Sequence, residues 1–375
     1  MGPSEAPSLE ASREVFFLSC ASFDVMKKKE ARCILSCQMQ GCQWEGAKGE
    51  GKMPDKKNSE YVQIDELDNK PVYIVQFPHP YPESLVKNKR NKEIVSIEWN
   101  TDGHGRKFVK HKGSYVDKVE GVDKIRNSDL YFWTEWEGPS EATLINKGAD
   151  KLHAKYLHEV KRPLGYFKDN DELKSSCSSL SKSGLKENFL NTDPCVFGTT
   201  FKYSNCRQGS SIKLRQMGKG SLILFGSTIK TKFYLDTVFV VDDRAQKYSL
   251  LKGGKEIKCS DCYKELTLNR LDMEYVFYRG ITYKNRGDTG MFSFVPAKTS
   301  REDSKRCEIC FGSINQLLGT RGKRLNAKST RSATIIESNT HIAKKVWEEV
   351  VRQVQEKEFV LGVNFAWPRK SLKKG

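Results

Sequence analysis

Apolar and polar positions alternate in short bursts along most of this chain, the two-residue period of half-buried strands. Residues 15–18, 61–64 and 72–77 read as strands, and Pro78, Pro80 and Pro82 predict a sharp end to the third. Residues 130–137 predict a further strand ending at Gly138-Pro139. The densest β-branched and aromatic runs are 222–226 and 233–242. Only Gly226-Ser227-Thr228 and a short basic stretch separate them, so they are expected to be adjacent strands. Residues 275–280 and 291–295 continue the pattern, with Pro296 as the stop. The period changes near the C-terminus. Ile342, Val346, Trp347, Val350, Val351 and Val354 recur at steps of three and four, which predicts a helix from a Thr340 cap to Lys357. Residues 361–367 return as a last strand.

Between these elements the composition shifts, and the shifts suggest boundaries. Residues 1–13 read as a flexible tail. Residues 14–167 form an N-terminal α+β part, with an aperiodic Lys-, Gly- and Cys-rich insertion at 24–57 expected to be disordered. Residues 168–187, rich in Ser, Lys and Asp, read as a mobile connection. Residues 188–300 are a strand-rich core, and 301–375 a basic segment with the C-terminal helix. The expected fold class is α+β, with a β-barrel or a strongly bent mixed sheet at the centre and flanking helices.

The chain has 375 residues, 37% hydrophobic and 10% aromatic, with a net charge of +17. The aromatic clusters argue for a folded protein, and the charge attracts polyanions. No run approaches the roughly 20 apolar residues of a membrane span. Met1 to Arg13 lacks the pattern of an export signal, and Gly2-Pro3 does not fit an acylation site. The expectation is a cytoplasmic or nuclear protein with no membrane partner. On that expectation the 11 cysteines are thiols or metal ligands.

Three constellations could carry chemistry. Cys259-x-x-Cys262 and Cys307-x-x-Cys310 have the spacing to share one structural zinc; the alternative is four free thiols flanking strands. Glu135 and Glu137 share one strand face with Trp133, while Trp136 points the other way. Asp236 lies inside an apolar run. With Asp193, these carboxylates are the acid–base candidates if the protein is an enzyme. The third set is 191–198 followed by 201–207. Rings there could stack on a base, Asn and Asp could read its edge, and Arg could hold phosphate. The alternative is a loop that buries Phe197 and Phe201. No P-loop, nucleophile elbow, zincin or dinucleotide signature is present.

The stretch Leu214-Arg215, Gly218-Lys219-Gly220-Ser221-Leu222-Ile223-Leu224-Phe225-Gly226 and then Phe233 to Val241 resembles the core of PUA-like modules, the group containing ASCH and EVE domains. The layout around Phe197 and Cys206 is similar to uncharacterised proteins associated with nucleotide modification. The resemblance covers about a quarter of the chain. It implies a pseudo-barrel that binds RNA or modified bases in a cleft.

The leading expectation is therefore a protein that binds DNA, RNA or a modified nucleotide. Phe197, Tyr203, Asn205, Arg207 and Trp133 would line the pocket. Arg321, Lys323, Arg324, Lys328 and Arg331 would contact phosphates, on a backbone that Gly and Ser leave free to follow a groove. The runner-up is an enzyme acting on a nucleotide or nucleic acid through Glu135, Glu137, Asp193 or Asp236. Its mark would be two of these carboxylates converging in one cleft.

Overall fold

The strands follow the apolar runs. The computed structural model describes residues 63–64, 70–79, 106–119, 122–136, 140–148, 152–161, 192–248, 259–260, 263, 267, 275–319, 323–327 and 332–369. In chain order the elements are β1 (Gln63–Ile64), β2 (Val72–His79), β3 (Arg106–Val119), β4 (Val122–Glu135), β5 (Ser140–Leu144), β6 (Tyr156–Val160) and β7 (Lys202–Tyr203). They continue with β8 (Leu222–Ile229), β9 (Lys232–Tyr248), β10 (Tyr275–Gly280), β11 (Val295–Lys298), β12 (Cys307–Ile309), α1 (Phe311–Leu317), β13 (Thr334–Ser338), α2 (Thr340–Glu356) and β14 (Val360–Phe365). The fold is α+β and mostly strand, with a curled sheet. No helix among the described residues is long and apolar enough to cross a membrane.

Two sheets carry the structure. The first runs β13-β2-β8-β9-β10-β7, with β1 and β12 also pairing β9. Strands from before, within and after the predicted 188–300 core therefore share it. Among the described residues its only parallel pairing is β2 with β8, and β8 and β9 are the adjacent antiparallel strands the sequence predicts. The second sheet runs β14-β11-β4-β3-β6-β5, and β14 also pairs β3. The pairings β3–β4, β4–β11, β11–β14 and β14–β3 form a ring, which is the curl.

The first sheet buries both faces. On β2 and β8, Val75, Phe77, Ile223 and Phe225 enter one core, while Ile74, Leu222 and Leu224 enter the other. The first core also takes Val109, Phe132 and Phe365 from the second sheet. The second core is closed by Ala343, Val346, Val350 and Val354 of α2. Near-continuous apolar runs are what a strand buried on both faces requires.

β9 changes parity partway. Phe233 and Leu235 enter the α2-side core, but so do Val238 and Val240. The register explains the switch: Phe225 pairs Thr237 and Gly226 pairs Leu235, so Asp236 is an extra residue, a β-bulge. Opposite it, Gly226 lies so close that an added Cβ would stand 2.3 Å from the Tyr234 carbonyl oxygen.

Several expectations need correction. β2 continues through Pro78 to His79 instead of stopping. β13 pairs only Val72 to Gln76, so the proline's missing N–H falls where that neighbour has ended. Pro296 likewise lies inside β11, paired with Leu361. β8 runs to Ile229, leaving only Lys230 and Thr231 as the turn. The α2 cap is Asn339, whose side chain accepts from the Ile342 N–H, not Thr340. The predicted strand at 15–18, the insertion at 24–57 and the connection at 168–187 lie outside the described residues.

Two glycine replacements should move stability in opposite directions. Gly226→Ala should destabilise by about 1–3 kcal/mol through backbone overlap at the bulge. Gly312→Ala, in α1 with nothing within 4 Å of the added carbon, should stabilise by about 0.5–1 kcal/mol. Urea denaturation midpoints at constant m-value would check both.

Candidate nucleic-acid interface

The predicted base-stacking rings are sealed. Phe197 is 0% exposed and meets Trp136 edge-on at 5.0 Å between ring centres. Tyr203 is also 0% exposed and stacks on Tyr278 at 6.0 Å, with Phe77 edge-on at 6.3 Å. Trp133 lies beside Phe108, under the Arg306 guanidinium at 4.7 Å. Aromatic rings bury the largest apolar areas, so they fill the core first. Asn205 is buried as well, and of the five nominated residues only Arg207 reaches partly into solvent.

Two nominated carboxylates do converge, but on a cation and out of solvent. The bulge aims Asp236 at Arg106, whose Nε donates to Asp236 Oδ2, while Arg106 Nη1 lies 3.6 Å from Glu135 Oε2. All three side chains are at most 1% exposed. Burial pushes the Asp236 carboxyl up, and Arg106 pulls it down. Arg106 and Glu135 stand opposite each other in β3 and β4, and Asp236 comes from β9, so the cluster ties the two sheets together. Glu137 lies outside the described residues.

Asp193 is an anchor for backbone. Its Oδ1 accepts from the Ser204 N–H at 2.9 Å, and its Oδ2 accepts from Asn205 and Cys206 at 2.9 and 2.7 Å. Burial raises its carboxyl to about 6, against the pull of those three donors. The bonds fix the chain entering Arg207, a non-glycine residue with φ of 59°.

The cysteines fall in different surroundings. Cys259 packs against the first core, Cys307 is buried in the second, and Cys310 is exposed. Burial pushes the Cys307 thiol up to about 12, the reverse of a reactive thiolate. Cys262 lies outside the described residues, and among those described no group of three or more His, Cys, Asp or Glu could hold a metal ion. Lys323 and Arg324 are exposed, while Arg321, Lys328 and Arg331 lie outside the described residues. The backbone beside Lys323 and Arg324 is not free to follow a groove. Gln76 exchanges two hydrogen bonds with Asn326, and Asn315 exchanges two with Leu325.

What the sequence reading missed is an absence of acid. From residue 194 to residue 235 the chain holds no Asp or Glu, yet it carries Lys202, Arg207, Lys213, Arg215, Lys219, Lys230 and Lys232. Lys202 is sealed, donating to the Phe197 and Thr200 carbonyls at 3.1 and 2.7 Å. The stretch 207–219 between β7 and β8 is the exposed part. Gln208 exchanges two 2.8 Å bonds with the Val276 backbone, the Met217 N–H donates to Tyr278 Oη, and the Gly218 N–H donates to Pro71 O. Leu214 and Met217 are buried beneath it. The loop is thus seated across β2 and β10, beside exposed Lys70 and half-buried Arg279.

Its cations stand over rings that the core has already fixed. Arg207 lies 5.6 Å from the Phe77 ring centre, and Lys213 lies 5.8 Å from that of Tyr73. Among the described residues no carboxylate pairs with Arg207, Lys213 or Arg215. Burial lowers the Arg207 pKa, the mark of a cation held partly out of water without a counter-charge. Glu337, opposite Tyr73 in β13, is the carboxylate felt at this edge, where it and burial raise the Tyr73 phenol.

A second open surface is a groove of about 490 Å³ lined by Lys112, Ser114, Asn127, Ser128, Asp129 and Asn364. It suits an anion less well. Ser114 donates to Asn127, and Asp129 pairs with Lys110 at 3.1 Å. No protein-family profile, curated protein or solved structure matches the chain.

Arg106→Met would leave two buried carboxylates without their cation and should cost about 3–5 kcal/mol in chemical denaturation; adding Glu135→Gln and Asp236→Asn should restore part of it. Asp193 should titrate near pH 6 in a carboxyl-resolved NMR titration. Its folded value lies above the ordinary 3.8, so the native state holds the proton more tightly. Its ionisation therefore opposes folding progressively between pH 3.8 and about 6, and fully above that. In Asp193→Asn this component of the stability–pH curve should vanish.

Proposed function

We propose that the protein binds nucleic acid through the acid-free loop 207–219 and its flanking cations. The observation that carries this reading is that Arg207, Lys213, Arg215 and Lys219 lie on one anchored loop with no carboxylate in its sequence, beside Lys70 and Arg279. Phosphate contacts from Lys and Arg supply most sequence-independent affinity, and a net charge of +17 draws a polyanion toward them. Stacking on Phe197 or Tyr203 has no part in this reading, because both rings lie in the core. The PUA-like resemblance of 214–241 agrees with a nucleic-acid ligand, and a modified base is the finer form of the same proposal. Lys323 and Arg324 could add contacts only from the other side of β2. Gln76, which holds their segment, and Phe77, under Arg207, project to opposite faces of that strand.

The test is affinity for duplex and single-stranded DNA and RNA, by fluorescence anisotropy across salt. Engagement of all six cations by duplex DNA predicts a log–log salt slope of about −5. Lys213→Ala and Arg215→Ala should each reduce that slope by about 1 and weaken all sequences alike. Affinity that ignores salt, or that ignores both substitutions, would refute the proposal.

A further inference from the structure

We propose that Ile212 is a wedge that enters the base stack of a duplex, so that the loop selects duplexes with a weakened step. This inference rests on the nucleic-acid reading above. Ile212 is 61% exposed, more than the other large exposed hydrophobics of the described residues, Ile125 at 45% and Leu144 at 41%. It opens the single 3₁₀ turn of the basic loop, Ile212–Arg215. In such a helix residues i and i+3 eclipse, so Ile212 and Arg215 project from the same side, with Lys213 adjacent.

The turn is a firm mount. Leu214 is fully buried, the Leu214 N–H donates to Ser211 O at 3.2 Å, and the Gln216 N–H donates to Lys213 O at 3.2 Å. Gln208 and Met217 clamp the flanks onto β10. An aliphatic tip between cations, on a support that cannot fold it away, matches the apolar wedges that pry base steps apart while cations hold the backbone. Burying one Ile side chain offers a gain of the same order as the cost of unstacking one step. A matched step is therefore close to break-even, and a mismatched step, already partly unstacked, is favoured.

The experiment compares 20-base-pair DNA duplexes carrying 2-aminopurine beside a matched pair or a single mismatch. It uses the full chain and its Ile212→Ala and Ile212→Leu variants. Because Ile212 is exposed, all three should share one thermal transition. Wild type should bind the mismatched duplex on the order of tenfold more tightly and raise its 2-aminopurine fluorescence. Ile212→Ala should lose both effects while keeping the salt slope, and Ile212→Leu should retain them. Salt-dependent binding with equal affinity for both duplexes, or unchanged by Ile212→Ala, would overturn the wedge and leave the nucleic-acid reading standing. No salt-dependent binding to either duplex would overturn the wedge, and the nucleic-acid reading would fall with it only if single-stranded DNA and RNA also failed to bind. Binding to anionic phosphatidylserine vesicles that Ile212→Ala abolishes, without mismatch preference, would assign the tip to a lipid surface and overturn the proposal.

Discussion

The architecture turns on one buried ion pair at one bulge. β9 is the longest strand described, and it pairs with β8, β10, β1 and β12. If β9 alternated regularly through Asp236, its apolar side chains would keep one parity, and Phe239 and Val241 would face α2. With Asp236 inserted, they enter the core that holds Phe77, Tyr203 and Phe225. The inserted carboxylate must then be neutralised out of water, and Arg106 of the second sheet does so. A single position thus sets which face of β9 meets which core and joins the two sheets.

The exposed loop inherits its shape from that core. Tyr203 and Tyr278 stack beneath it, and each turns its hydroxyl to the loop backbone, one toward Cys206 O and the other accepting from the Met217 N–H. Asp193 holds three successive N–H groups just upstream of Arg207. Asp193, Tyr203, Val276 and Tyr278, which anchor the loop, are buried, so the outward side chains are released from structural duty. This is why a stretch of polar residues, glycines and serines holds a defined surface. It is also why the rings matter to the site indirectly, as the floor under Arg207 and Lys213.

Much of the frame was legible in the sequence, for a physical reason. β8, β9, β10, α2 and β14 bury dense apolar sets, and density survives in a linear reading. The β3–β4 ribbon did not show itself over its full length. Residues 123–127 are all exposed, so no alternation marks them as strand. Proline misled at Pro78 and Pro296, where edge and partner geometry tolerate the missing N–H. Asp236 stands out inside its apolar run, but its arginine partner is 130 residues away and has no local signature. The sequence leaves the rings of Phe197 and Tyr203 open to a ligand or to the core, because it cannot say which side of a loop is covered. Their burial follows from the two-sided packing of the first sheet, a long-range property.

The basic character of the loop is written in the chain as a deficit. Acidic residues are common overall, 47 of them, yet 194–235 has none. Core strands account for part of that gap, since 222–229 and 233–235 would exclude carboxylates in any protein. They do not account for 207–219, whose exposed positions tolerate either sign at little cost to stability. A folding constraint would accept Asp or Glu there; a phosphate-bearing partner would not, because each carboxylate would subtract from the attraction its neighbouring cations provide. The asymmetry between what stability permits and what the loop contains is therefore the argument for the anionic partner proposed above.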